Sequence, residues 1–393
     1  NYWWVMNDKG NIHTETGADP IGMEIRAQAF AFASNDEVNN MTFYNYELIN
    51  RGTQTLYNTY FGFFTDGALG DPYDDYVGCD VNRGLGYYYN GDNYDGDNSG
   101  FKGYGYSPPA VGVDFFEGPY QDNDGIDNAF GIWDNEALNG IGYGDGIVDN
   151  ERFGMRRFLY YSNTTNGANP NQTDPVNAGD YYNYLRGFWK DGTKFVYGGS
   201  GHISDPEADP NMPCDFMFPG NTDPLGWGTS GNPQANWTEQ TANNTPNDRR
   251  FVQSAGPFVL KPGAVNNITV GVVWARSGAG DPFASVETLR RADDKAQALF
   301  ENCFKVLDGP NAPDLTLQEL AAFYRDVLVL QTGADLELFH TEMKGSIQRF
   351  ADSSSVNSTI KRLDSVESTR RMLNSEAAPL LVLESLTVQL ARA

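Results

Sequence analysis

Acidic side chains gathered with asparagine and glycine are the residues of this chain whose types and spacing could do chemistry. Asp74, Asp75, Asp80, Asp92, Asp95 and Asp97 fall within DDYVGCDVNRGLGYYYNGDNYDGDN, with Asp66 and Asp71 just ahead. The stretch DNDGIDN supplies Asp122, Asp124 and Asp127, and GDGIVDNE supplies Asp145, Asp149 and Glu151. Calcium takes about six to eight oxygens from carboxylates, amides and carbonyls, which loops of this composition can offer. Carboxylates this dense also repel one another unless a cation lies among them. These are candidate calcium loops. None keeps EF-hand spacing, because Gly125 follows Asp124 directly instead of standing at the loop's turn position. Asp, Asn and Gly are equally what turns require, so the same stretches also read as plain turns between strands.

Other chemistry finds little purchase. His13, His202 and His340 are scattered. HTE, His13 to Glu15, could place two ligands on one strand face, but no third is at hand for zinc. GGSGH, Gly198 to His202, has the outline of a nucleophile elbow without its final glycine, and reads as a glycine-rich loop. Carboxylate pairs for glycoside hydrolysis single out nothing in a chain with 52 acidic residues. No catalytic residue is assigned. Trp133, Trp189, Trp227, Trp237 and the run Tyr87 to Tyr89 could stack on sugar rings, yet such residues also pack the faces and corners of sandwiches. Packing is the expectation, with the tyrosine run at a sheet edge.

Composition narrows the class. A net charge of -25 argues against nucleic acid as a partner, since phosphates would be repelled. The 43 glycines, 22 tyrosines and 24 phenylalanines, against 27 lysines and arginines, suit a β-rich, loop-heavy secreted protein. Cys79, Cys214 and Cys303 allow one disulfide or none. No apolar run is long enough to cross a membrane. The opening residues are neither an initiator methionine nor a signal peptide, which fits the body of a processed or truncated precursor.

The elements that must position these residues are legible in the periodicity. GMEIRAQAFAFAS, MTFYNYELIN and TLYNTYFGFF alternate as strands do, and GPFVLKPGAVNNITVGVVWA reads as strand, turn at Lys261 to Gly263, then strand. One-sided strands need a second sheet, so the fold expected is mainly β, a sandwich or jelly roll over residues 1–282. An amphipathic helix packed on it is expected over 283–310, with Val286, Leu289, Ala292, Ala296, Leu299 and Cys303 on one face. Residues 311–393 read as a mostly helical tail, with helical spacing over 316–331, 335–350 and 355–373. A final strand closes it, in which Leu380, Val382, Leu386, Val388 and Leu390 share a face.

Several stretches, among them NDKGNIHTETGADPIGMEIRAQAFAFASNDEVNNMTFYNYELINRG, CDFMFPGNTDPLGWGT and RRFVQSAGPFVLKPGAVNNITVGVVWAR, resemble large secreted proteins of Bacteroidota. The resemblance spans most of residues 1 to 320. It implies export by type 9 secretion and an extracellular or outer cell-surface location. The family brings no activity with it. DSV, Asp364 to Val366, resembles the short O-glycosylation motif of the same group and would put sugar on Ser365. The Asn-X-Ser/Thr sequons arise readily by chance in so asparagine-rich a chain.

The function expected is a non-catalytic structural or adhesive protein of a bacterial surface, with calcium as the one cofactor considered. Self-association as a homo-oligomer or filament, by exchange of the strand Leu380 to Leu390, is expected. A glycan-binding or glycan-degrading module is the alternative.

Overall fold

The computed structural model describes all residues except 34–35, 122, 132–138, 164–168, 279, 302–312, 335, 337, 374–384, 387–388 and 391–393. The chain forms two compact units, Asn1–Ala298 and Leu299–Ala393. Ten principal strands build the first: β1 (Tyr2–Asn7), β2 (Met23–Phe30), β3 (Met41–Asn50), β4 (Leu56–Asp66), β5 (Asp75–Asp80), β6 (Leu85–Asn90), β7 (Ala110–Glu117), β8 (Arg157–Ser162), β9 (Arg249–Leu260) and β10 (Val265–Ala275). A seven-stranded sheet runs β1-β2-β3-β10-β7-β6-β5, and a three-stranded sheet runs β8-β9-β4. Every neighbouring pair is antiparallel. The turn at Lys261 to Gly263 forms as expected: Ala264 N–H donates to the Lys261 carbonyl at 3.0 Å, and Gly263 takes φ of 77°.

The two sheets share one core, as a sandwich must. Val77, Tyr88, Val113 and Phe115 of the large sheet meet Phe158, Phe251 and Ala255 of the small one. The Tyr88 and Phe251 rings lie 5.0 Å apart. Alternation sends neighbours the other way, so Tyr87 and Tyr89 leave the sandwich for the opposite face. There they meet α2 (Pro282–Glu301): Phe283 packs edge-on against Tyr89 at 5.5 Å, and the Arg290 guanidinium lies 5.8 Å over Tyr87. The tyrosine run is therefore not at a sheet edge. It sits fully buried on β6, one strand inward, because both faces of that strand are covered.

Asp281 accepts the Ala284 N–H through Oδ1 at 3.2 Å and caps the start of α2. Val286, Leu289, Ala292 and Ala296 form its buried stripe. Each such valine or leucine contributes about 1.5–3 kcal/mol on burial. Gly112 on β7 allows the close approach: a Cβ there would lie 2.7 Å from Leu85 Cδ1 and 3.1 Å from Leu289 Cδ2. On the outer face of the small sheet lies α1 (Ala178–Arg186), capped by Asn177 and ended by left-handed Gly187, with Leu185 resting over Gly62 of β4.

The second unit is helical: α3 (Pro313–Thr332), α4 (Lys344–Ser353) and α5 (Val356–Leu373). Left-handed Gly333 follows α3. The final strand does not form at the described positions. Ser385, Leu386, Gln389 and Leu390 are helical, while Leu380, Val382 and Val388 lie outside the described residues. Four-residue spacing decides this, since Leu386 and Leu390 pack together with Leu317, Tyr324, Leu363 and Val366. Among the described residues no helix is long and apolar enough to cross a membrane. Cys79 and Cys214 are buried free thiols; Cys303 lies outside the described residues.

Candidate functional site

The segment joining β4 to β5 and the loop after β6 meet at one corner of the sandwich. Asp71 caps a short 3-10 turn, Pro72–Asp74, by accepting the Tyr73 N–H at 3.1 Å. β5 then begins with Asp75, paired in register with Asn90 at the end of β6. Both share the face of Val77 and Tyr88, so both side chains enter the sandwich's end. Asp75 Oδ2 accepts the Leu69 N–H at 3.1 Å. Asp95 accepts the Asp71 N–H at 3.0 Å and the Tyr104 N–H at 2.7 Å, and the Asn98 amide donates to Asp71 at 2.9 Å. Gly70 has φ of 76°, and a Cβ there would overlap the Asp95 carboxylate.

Among the described residues, three buried oxygens at this corner have no hydrogen-bond donor: Asp74 Oδ1, Asp75 Oδ1 and Asn90 Oδ1. Asp75 and Asn90 are fully buried. A buried acceptor left unpaired costs about 1–3 kcal/mol. Burial, with Asp95 and Asp71 beside it, pushes the Asp74 carboxyl up to about 7. Burial pushes Asp75 well above the usual carboxylate range, and neighbouring Asp74 and Asp95 add to it. Among the described residues no three His, Cys, Asp or Glu side chains stand grouped to hold a metal. The unpaired oxygens belong to two carboxylates and one amide, donor types that a hard cation such as calcium takes. Asn90 was missed in the sequence; its register opposite Asp75 is what finds it.

The other acidic residues go elsewhere. Asp80 faces α2, because five residues after Asp75 is the other side of a strand. It pairs with Arg83 at 2.9 Å and Arg290 at 3.0 Å. Asp114 of β7 and Asp293 of α2 are buried in the same layer, and Arg83 reaches Asp294 at 2.7 Å. Burial raises the Asp114 carboxyl well above its ordinary range, and the Asp293 and Asp80 charges add to it. Asp92 accepts the Tyr94 N–H at 2.7 Å as a turn residue. Asp97 is exposed and paired with Lys102, which holds its carboxyl low.

Asp124, Asp127, Asp145 and Asp149 form a separate pair of turns, while Asp122 lies outside the described residues. Asp124 accepts the Ile126 N–H and Asp145 accepts the Ile147 N–H, each at 2.8 Å. The turns also clasp each other: Asp149 accepts from Gly125 at 2.8 Å, and Asp127 from Gly144 and Gly146 at 2.7 Å. These four carboxylates act as turn residues, each binding backbone N–H groups.

His202 is buried between Asp191, 3.0 Å from Nε2, and the Ser204 hydroxyl, 2.7 Å from Nδ1. Nothing in the sequence spacing flagged this acid–imidazole–hydroxyl line. Its geometry is that of a brace: Nδ1 also accepts the Ser204 backbone N–H at 3.1 Å, and Ser204 Oγ takes an amide proton from Asn169 at 3.2 Å. His13 reaches the Asp8 carbonyl at 2.7 Å, and His340 reaches Asp326 at 3.3 Å in the helical unit. Ser365 lies on α5, its hydroxyl donating to the Lys361 carbonyl at 2.9 Å.

The aromatics divide similarly. Trp189 and Trp237 are buried, donating to the Gly201 and Gly199 carbonyls at 2.8 and 3.1 Å; Trp227 packs on the same core, and Trp133 lies outside the described residues. A cleft of about 470 Å³ opens beside α1, walled by Phe64, Tyr161, Tyr181 and Tyr184 and rimmed by Glu15 and Asp174. Phe64 stacks on Tyr161 at 6.4 Å and keeps 53% of its surface exposed. No protein-family model matches this chain, and no curated protein matches it.

Proposed function

We propose that this chain is a non-catalytic structural or adhesive protein of a bacterial surface, exposed outside the cell, with one corner of its sandwich completed by calcium. The observation supporting this is the use of the acidic side chains. They bind backbone N–H groups in loops or guanidinium groups beneath α2, and at Asp74, Asp75 and Asn90 they present oxygens that a cation would satisfy. The resemblance to exported proteins of Bacteroidota points to the same location. A glycan array together with an activity screen on polysaccharides tests the reading. Neither binding nor turnover is expected, and reproducible turnover would overturn it.

The second reading, a glycan-binding module, has one observation in its favour. Phe64 and Tyr181 offer exposed rings for stacking, and Glu15 and Asp174 stand near the Tyr181 phenol as acceptors for sugar hydroxyls. Array binding that Tyr181→Ala abolishes would favour this reading over the first.

A further inference from the structure

The two edges of the seven-stranded sheet are treated differently. β5, at one end, is buried along its whole length. Other segments meet its outward groups: Val77 N–H donates to Glu239 Oε1 at 2.9 Å and Cys79 N–H to the Phe218 carbonyl at 3.2 Å. The Asp75 carbonyl takes the Asn247 N–H at 3.1 Å. β1, at the other end, pairs among the described residues only with β2, in an unbroken register of six residues from Tyr2↔Ala29 to Asn7↔Glu24. Tyr2, Trp3, Val5 and Met6 are exposed, by 79%, 67%, 45% and 43%.

Sheet edges are ordinarily guarded by lysine, proline, bulges or a covering loop. The strand YWWVMN carries no charge, no proline and no bulge. By contrast β4, an edge of the small sheet, has two register shifts against its neighbour and a left-handed residue at Asn58. Behind β1 the charges are already matched: Arg26 pairs with Glu24 at 3.0 Å and Glu47 at 3.6 Å, and Arg51 pairs with Glu24 at 3.0 Å.

We infer that the β1 edge is a self-association surface, occupied by β1 of a second copy running antiparallel. This rests on the structural or adhesive reading and names its interface. The strand's own register supports a copy as the occupant. Asp8 N–H donates to the Met23 carbonyl at 3.1 Å, so even-numbered residues bond inward to β2. Antiparallel alternation then leaves the N–H and C=O groups of Trp3, Val5 and Asn7 pointing outward. A two-fold axis at Val5 sets Val5 against itself, Trp3 against Asn7 and Trp4 against Met6. Backbone bonds are matched, a thioether meets an indole, and the two copies contribute the same patch. Charge selects the same place. Two copies carrying -25 each repel one another over most of their surface, and β1 is an uncharged apolar strip.

The test is the mass of the native chain by sedimentation equilibrium, alongside Val5→Lys and Val5→Thr, with unfolding midpoints followed in parallel. The expected result is twofold mass for the native chain and Val5→Thr, and a monomer with an unchanged midpoint for Val5→Lys. If Val5→Lys unfolds, Asn7→Pro removes an outward N–H at an exposed position and must give the monomer instead. A native chain that stays monomeric at its highest soluble concentration overturns the inference and the expectation of self-association with it, while the calcium corner of the functional reading is untouched. Assembly that survives both Val5→Lys and Asn7→Pro overturns the edge alone and leaves that reading standing.

Discussion

Two buried acidic groups lie on opposite faces of the same pair of strands and are neutralised differently. Under α2, buried Asp80 pairs with Arg83 and Arg290 and Arg83 reaches the exposed Asp294, while buried Asp114 and Asp293 each keep an oxygen without a donor among the described residues. At the sandwich corner, Asp71, Asp74, Asp75 and Asp95 form no ion pair among the described residues, and three oxygens there lack a donor. A buried carboxylate needs an opposite charge, a proton or a metal. The first group has a counter-charge for Asp80 built into the chain. The second has no counter-charge among the described residues, so it holds protons or recruits a cation from solution.

Removing a guanidinium breaks the first group and gives the largest effect. Arg290→Ala leaves Asp80 fully buried with Arg83 as its remaining partner, and costs about 3 kcal/mol, the lower part of the range for a broken buried pair. Denaturant unfolding of the variant measures it. A change near zero would mean that Arg83 alone neutralises the layer.

The pH dependence separates the groups next. Asp74 and Asp75 titrate higher in the folded protein than in the unfolded chain, where the ordinary value is about 4. Their stabilising contribution is full below that value and is lost as pH rises through the folded one. In chelator, stability therefore falls between about pH 4 and about 7, the value reached by Asp74. Asp114 and Asp293, also raised by burial, act in the same direction, whereas Asp215, held low chiefly by Arg157 and Lys194, loses its contribution only on further acidification. Calcium bound at the corner would displace its protons, so it should flatten the corner's share of the decline. Thermal unfolding from pH 4 to 8, with calcium and with chelator, reads the difference.

Asp75→Asn sharpens the comparison further. The amide keeps an acceptor for Leu69 and removes a charge that burial disfavours, so at pH 8 in chelator the variant should exceed the native protein in midpoint. Added calcium should reverse that order. The smallest effect is at Lys102→Ala, whose partner Asp97 is exposed; no measurable change in midpoint is expected, with or without calcium.

Much of this was legible in the sequence. Alternation in MEIRAQAF and VNNITVGVVWA, the turn at Gly263 and the stripe of α2 follow from period two and period 3.6 and need no tertiary knowledge. Parity alone also separates Asp75 from Asp80, although nearness in sequence had grouped them as one loop. Partner strands were not legible: Asn90 comes to Asp75 only through register, and Asp114 meets Asp293 only because α2 folds back over β7. The final strand went wrong because Leu386 and Leu390 fit either period, and the helices around Leu317 and Val366 settled it.

The most direct measurement is isothermal titration of calcium into the metal-free chain at pH 8, repeated with Asp75→Asn and with Asn90→Leu. The expected result is one site with proton release in the native chain, its affinity lowered at least tenfold by either substitution, or about 1.4 kcal/mol. A native chain that takes up no calcium, or one whose affinity is unchanged in both variants, would contradict a cation at the Asp74, Asp75 and Asn90 corner.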